Sequence, residues 1–206
     1  MSKPFSQACE NNKAAILAVI SQYFQGDLTV LEIGSYTGQH AQYFASQLAQ
    51  VTWQPSDIQD NLPIVEAGLA DLTLSNILPP LALDVSQQPW PVKKVGGVFS
   101  ANTLHIMAQE KLADFFHGAG LVLQAGGFLC VYGPFKYAGE YTSESNASFE
   151  LWLQERDPVS AIRDFEMVNA LAEKAGLTLV TDHPMPANNQ LLVWKKEQKK
   201  VDQARG

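Results

Sequence analysis

The chain has 206 residues, 46% of them hydrophobic, and a formal net charge of -7. That length supports one sizeable core and is short for two domains, and the acidic balance would repel a phosphate backbone, which excludes nucleic acid as the expected partner. Cys9 and Cys130 are the only cysteines and lie far apart without a C-x-x-C spacing, so neither a disulfide framework nor a metal site is expected.

The first residues, "MSKPFSQACENNK", lack the apolar centre of a secretory signal. No run approaches the roughly 18 apolar residues of a membrane span, so a cytoplasmic protein without membrane contact is expected. Charge is unevenly placed. The segment from Lys195 carries five basic and two acidic residues, which leaves 9 basic against 19 acidic residues before it. Residues 1–196 read as a single domain and 197–206 as a charged, solvated tail.

In chain order, Ile16, Val19, Ile20 and Tyr23 recur at helical spacing, and the pattern closes at Gly26. "LTVLEI" (28–33) then reads as a buried strand and "GSYTG" (34–38) as a turn into a helix carrying Ala41, Phe44, Ala45 and Leu48. Further strands are predicted at 51–54, 81–85, 95–101 and 126–132. The clearest intervening helix carries Leu112, Phe115, Phe116, Ala119 and Leu123, and another runs from Ile162 to Ala175 and ends at Gly176. This alternation predicts an α/β fold with a parallel, doubly wound sheet covered by helices. The last two strands, at 177–181 and 191–194, are separated by nine residues with two prolines. Such a link is too short for a parallel crossover, so the final strand is predicted antiparallel.

The turn at 34–38 has the form of a ligand cradle. A dinucleotide fingerprint anchored at Gly34 would need glycine at 36 and 39, where Tyr36 and Gln39 stand. Glu32, two residues before Gly34, would also repel a pyrophosphate. The same carboxylate favours a cation such as the ammonium and sulfonium groups of S-adenosylmethionine.

"LEIGSYTG" resembles motif I of class I S-adenosylmethionine-dependent methyltransferases, with Gly34 and Gly38 retained and Tyr36 in place of the common middle glycine. With "WQPSD", "YGPF", "SESN", "IRDFE" and "MPANN", nearly the whole chain resembles an uncharacterised methyltransferase-like family catalogued as a domain of unknown function. The resemblance implies a Rossmann-like class I methyltransferase fold, with a seven-stranded, mostly parallel sheet, an antiparallel last strand and helices on both faces. It implies S-adenosylmethionine as cofactor, with Asp57 on the ribose hydroxyls and Asp84 near the adenine. It also implies Asn12, Glu32, Gly34, Ser35, Gly38, Ile58, Val85 and Asn102 as cofactor-binding residues. Asn12 sits on the leading helix, which would close over the cofactor, and Asn11 stands where a basic residue is expected. Simpler roles are open to several of these residues. Gly34 and Gly38 can close a tight turn, while Asp57 and Asp84 can cap the segments that follow them.

Acceptor chemistry is expected beyond the carboxyl ends of the fourth and fifth strands. His105 is the expected proton acceptor, against the alternative of a core histidine. Tyr132, Tyr137, Asn146, Arg163 and Asn188 are expected substrate contacts, although Arg163 and Asp164 can also pair at a helix start. Residues 136–160 read as a substrate lid, longer than ordinary sheet connections, with Phe149 and Trp152 packed on the core. The expected activity is in-line methyl transfer to an oxygen, nitrogen or sulfur of a small molecule. The alternative is a non-catalytic S-adenosylmethionine-binding module with a protein partner. The sequence carries no reading of oligomeric state.

Overall fold

A computed structural model describes residues 3–70 and 73–198. Helix α1 (Gln7–Ile20) starts at Ser6, whose hydroxyl accepts from the Cys9 N–H, and turns Ile16 and Ile20 inward. It leads into β1 (Leu28–Ile33), α2 (Gln39–Gln47), β2 (Val51–Asp57), α3 (Leu62–Leu69) and β3 (Leu81–Ala82). The chain continues through β4 (Val95–Ala101), α4 (Leu112–Val122) and β5 (Leu123–Gly133). After β5 come β6 (Phe135–Tyr137), β7 (Glu140–Tyr141), α5 (Glu144–Arg156), β8 (Arg163–Asp164), α6 (Phe165–Lys174), β9 (Leu177–Met185) and β10 (Asn189–Lys196).

Seven strands form one sheet in the order β3-β2-β1-β4-β5-β10-β9. Strands β1 to β5 pair in parallel, and β10 runs antiparallel to both β5 and β9. The expected sheet with its reversed last strand is therefore present. Alternate side chains feed two cores, as a strand's period of two requires. Leu31, Val98, Val131 and Leu192 pack with Phe115, Phe116 and Val168 of α4 and α6. Val30, Phe99, Cys130 and Val193 pack on the other face with Ile16, Ile20 and Phe44 of α1 and α2. Each fully buried side chain of this size contributes about 1.5–3 kcal/mol. No helix among the described residues is long and apolar enough to cross a membrane.

Several boundaries differ from expectation for identifiable reasons. Strand β2 runs past Gln54 to Asp57 because its ladder with β1 continues across Pro55, pairing Glu32 with Pro55 and Ile33 with Ser56. The third strand shrinks to two residues. The fifth starts earlier than expected, at Leu123, with a register shift between its first pair with β4 and the rest. Helix α6 begins at Phe165, after a short pairing of β8 with β6. The final hairpin is tighter than its sequence spacing implies, because β9 extends through Pro184 to Met185. Strand β9 is the sheet's edge, where a proline costs no central ladder bond, and Ala187 and Asn188 turn the chain at φ 58° and 56°. A second sheet, β7-β6-β8, occupies part of the segment read as a lid. Of the charged segment 197–206, residues 199–206 lie outside those described.

Helix α3 bears directly on the 34–38 turn. A Cβ at Gly68 would stand 2.0 Å from the carbonyl oxygen of Thr37, a backbone atom that cannot swing aside. Gly68→Ala should therefore lower the unfolding free energy by about 1–3 kcal/mol, the usual cost of overpacking, in urea titrations. Unchanged stability would show that α3 and the turn separate freely.

Candidate cofactor and acceptor site

The turn after β1 is held by two carboxylates. Its backbone is left-handed at Gly34, Tyr36 and Gly38, with φ of 80°, 42° and 70°. The N–H groups of Gly34 and Ser35 both donate to the Ser56 carbonyl at 3.0 Å. The Tyr36 N–H donates to Asp57 Oδ2 at 2.8 Å, while Asp57 Oδ1 accepts from the Ile58 N–H and Asn61 Nδ2, each at 2.8 Å. Beneath the turn, Glu32 Oε2 accepts from the Ser35 hydroxyl and from Trp53 Nε1, both at 2.9 Å. Burial pushes the Glu32 carboxyl up to about 7 despite these two hydrogen bonds. Gly34 serves a close approach as well as its φ: a Cβ there would lie 2.5 Å from Thr103 Oγ1. Its lack of a side chain brings the segment after β4 against the turn.

The carboxyl ends of the parallel strands open into a cavity of about 1240 Å³. That exceeds the range of about 300–1,000 Å³ typical of a single-ligand pocket. The strand order places the ends of β3, β2 and β1 on one side of it and those of β4 and β5 on the other. Gly34, Ser35, Asp57, Ile58, Asp84 and Val85 line the first side, with Asn12 of α1. Asn102, His105, Tyr132 and Asn146 line the second. The other expected residues lie off the wall. Glu32 is buried under the turn. Gly38 opens α2, and a Cβ there would meet Leu69 at 3.0 Å. Tyr137 stacks on Phe165 and donates to Asp182 Oδ2. Asn188 accepts from Asn146 through its carbonyl and donates to Ser145 through its amide.

Arg163 also lies off the wall, and its contacts define a structural task. Its Nε donates to the Leu104 carbonyl at 3.1 Å, and its Nη2 donates to the carbonyls of Val159, at 2.9 Å, and Met107. The Ala161 N–H donates to the His105 carbonyl at 2.9 Å. These bonds fasten the segment carrying His105 to the chain just after α5. Arg163 is not paired with Asp164, whose carboxylate instead accepts from the Gly139 N–H.

Around His105 the wall is aromatic. The residue is 6% exposed, and its ring meets Phe149 edge-on, with centroids 5.4 Å apart. Phe149 stacks on Trp152 at 5.6 Å. Phe149 and Trp152 both line the cavity, so the expectation that they pack on the core is not met. The reason is that α5 turns Asn146, Glu150 and Leu153 inward instead. Burial, and then the charge of Arg163, hold the His105 imidazole down to about 4, which keeps it neutral at physiological pH.

His40, which the sequence reading did not single out, also lines the cavity. Its Nε2 hydrogen-bonds Asn12 Oδ1 at 2.7 Å, an arrangement that calls for the Nε2–H tautomer. Burial, with a smaller contribution from Lys13, holds this ring down to about 4 as well. Tyr132 lines the same cavity, and burial raises its phenol. The available signal was position, since His40 falls in the first turn of the helix that leaves the cradle.

The sheet order and the site at its carboxyl ends together define a Rossmann-like methyltransferase fold, and solved structures share it. An O-methyltransferase family protein from Burkholderia thailandensis is 14% identical with a TM-score of 0.78, over 94% of this chain and 58% of that one. The S-adenosylmethionine-dependent methyltransferase SibL in its apo form is 17% identical with a TM-score of 0.77, over 93% and 56%. Human N-acetylserotonin methyltransferase in complex with S-adenosylmethionine is 14% identical with a TM-score of 0.75, over 93% and 53%. The chain thus spans little more than half the length of these proteins, and at such identities the likeness is one of fold. Residues 3–196 match the family described as "Protein of unknown function (DUF938)", and the chain belongs to that family.

Glu32 makes the buried part of the turn sensitive to pH. Its carboxyl is raised to about 7 from 4.5, so the folded chain holds this proton more tightly than the unfolded chain does. The resulting stabilisation is complete below the unfolded value and is lost as pH rises through the folded one. Glu32→Gln stays neutral throughout. The unfolding free energy of the wild type relative to this variant should therefore fall between about pH 5 and about pH 8, measured by urea titration at each pH. A flat or rising difference would mean that the charged carboxylate is fully compensated in the fold.

Proposed function

We propose that the protein is an enzyme that transfers a methyl group from S-adenosylmethionine to a small-molecule acceptor held beside His105. The observation that carries this reading is a single cavity, large enough for two ligands, with sides of different chemistry. One side has the glycine turn and the carboxylates of Asp57 and Asp84. The other has a neutral imidazole among aromatic rings.

The first side fits the cofactor. Two carboxylates suit a ligand bearing an ammonium and a sulfonium. A carboxylate offers about four lone-pair sites, and Asp57 uses three on Tyr36, Ile58 and Asn61, which leaves capacity for a ribose hydroxyl. The Ser86 N–H, and then Lys111, hold the Asp84 carboxyl below the usual range. Ile58 and Val85 supply apolar wall beside these two carboxylates. Asn12 and Asn102 offer amides where the cofactor side meets the acceptor side.

S-adenosylmethionine supplies an electrophilic methyl group, whose carbon–sulfur bond breaks with its electron pair kept by sulfur. The protein's part is to align an acceptor oxygen with that carbon. Alignment of this kind provides most of the rate enhancement open to such a site. As the carbon–oxygen bond forms, the hydroxyl proton passes to the neutral His105 imidazole, and the sulfonium's positive charge ends as imidazolium. Arg163 holds the segment bearing His105 and acts as a positioning residue. Tyr132 and Asn146 of α5 stand on the same wall to contact the acceptor.

The test combines binding with turnover. Isothermal titration should show S-adenosylhomocysteine binding to the wild type and to His105→Gln with dissociation constants within about twofold. Labelled S-adenosylmethionine incubated with a metabolite extract should give a labelled product, formed about a hundredfold more slowly by the variant, the scale of general-base assistance. Lack of S-adenosylhomocysteine binding would overturn the proposal. Binding without any labelled product would favour a non-catalytic module.

A further inference from the structure

The acceptor side of the cavity carries its own selectivity. Among the described residues, the charged side chains lining the whole cavity are Asp57, Asp84 and Lys111. Two of these end β2 and follow β3, on the cofactor side. Lys111 is committed to Asp84, with Nζ 3.3 Å from both carboxylate oxygens. Arg163, the cation behind His105, gives Nε and Nη2 to backbone carbonyls and stays off the wall. The guanidinium of Arg156 lies 3.8 Å from the Trp152 ring centroid and is likewise not part of the wall. An anionic acceptor would have to leave water for a wall with no free cation, which disfavours its binding.

Shape points the same way as charge. Phe149 and Trp152, stacked at an interplanar angle of 22°, both line the cavity, and Ile106, Pro134 and Leu153 continue this apolar wall. Aromatic groups gain in such contacts beyond the area they bury. Trp152 and Ile106 remain 44% and 55% exposed although both line the cavity, so apolar surface stands open where an acceptor would cover it. The chemistry of the base narrows the choice further. An imidazole held down to about 4 is a poor match for an aliphatic alcohol, whereas a phenolic hydroxyl, with a pKa of about 10, releases its proton far more readily.

We infer that the acceptor side takes an uncharged, planar aromatic compound bearing a hydroxyl group, with its ring against Phe149 and Trp152 and its hydroxyl toward His105. The fate of that hydroxyl rests on the methyl-transfer reading. The binding of the ring does not.

The experiment is ligand-observed NMR titration of the full chain with three compounds of similar size: 2-naphthol, its carboxylated relative 6-hydroxy-2-naphthoate and the saturated alcohol decahydro-2-naphthol. Each titration is run with and without saturating S-adenosylhomocysteine. 2-Naphthol should bind about tenfold or more tightly than either relative. Trp152→Ala and Phe149→Ala should each weaken it by about tenfold while leaving the S-adenosylhomocysteine affinity within twofold. Phe149→Leu, which keeps apolar bulk and removes the ring, replaces the alanine variant if that variant fails to fold. Comparable or tighter binding of the naphthoate or the decalin alcohol would overturn the inference. So would absence of 2-naphthol binding, or indifference to the ring substitutions. If the naphthol pattern holds while S-adenosylhomocysteine does not bind, the methyl-transfer reading fails and the aromatic site stands. If S-adenosylhomocysteine binds and the naphthol pattern fails, the aromatic site alone is lost.

Discussion

The carboxylate of Asp57 is the fixed point from which the rest of the site is measured. It sits at the end of β2, is nearly buried, and takes hydrogen bonds from the turn after β1 and from the first residues beyond β2. Those bonds oppose the strain of the left-handed Tyr36, a conformation that costs about 1–3 kcal/mol in a residue with a side chain. The turn so held lies against Thr103, because Gly34 leaves no atom between them. Through that contact the ends of β1, β2 and β4 share one rigid rim. The segment carrying His105 is tied in from the other direction by Arg163 and Ala161.

A division of electrostatic labour follows from this geometry. The carboxylates that line the cavity are on the side of β2 and β3, where a cation is welcome. The titratable groups most deeply buried nearby, Glu32, His40 and His105, are each driven toward their neutral forms by burial. The floor and far wall of the cavity are consequently apolar in character, although they contain polar residues. Neutral imidazoles retain hydrogen-bonding capacity without presenting charge. His40 uses its Nε2 on Asn12, while His105 lines the cavity beside Phe149.

Much of the fold was legible in the sequence because strand alternation and connection length are direct physical constraints. The runs at 28–33 and 95–101 appear at the expected bounds, and the short final connection did enforce the reversal of β10. The turn was legible because its glycines mark backbone that other residues adopt at a cost. What stayed hidden was the direction in which individual side chains point. Arg163 and Tyr137 have the chemistry of ligand contacts, yet one is consumed by backbone carbonyls and the other by Asp182. Phe149 and Trp152 have the composition of a core, yet α5 inserts the polar Asn146 and Glu150 instead. Both find partners there: Asn146 donates to the Asn188 carbonyl and Glu150 accepts from the Ile162 N–H. Burial of polar groups with specific partners across 42 or 59 residues of sequence leaves no periodic signature for a sequence reading to detect. The charge argument built on Glu32 shows the same limit. A carboxylate was expected beside the ligand, and the ones that line the cavity are Asp57 and Asp84.

The central claim is that one cavity is divided between a charged cofactor side and an uncharged acceptor side. A crystal structure of the protein grown with S-adenosylhomocysteine tests this most directly. The account predicts ligand density against the 34–38 turn, within hydrogen-bonding reach of Asp57 and Asp84, with the surface of Phe149 and Trp152 left uncovered. Density lying across Phe149 and Trp152, with the turn and both carboxylates free of ligand, would contradict it.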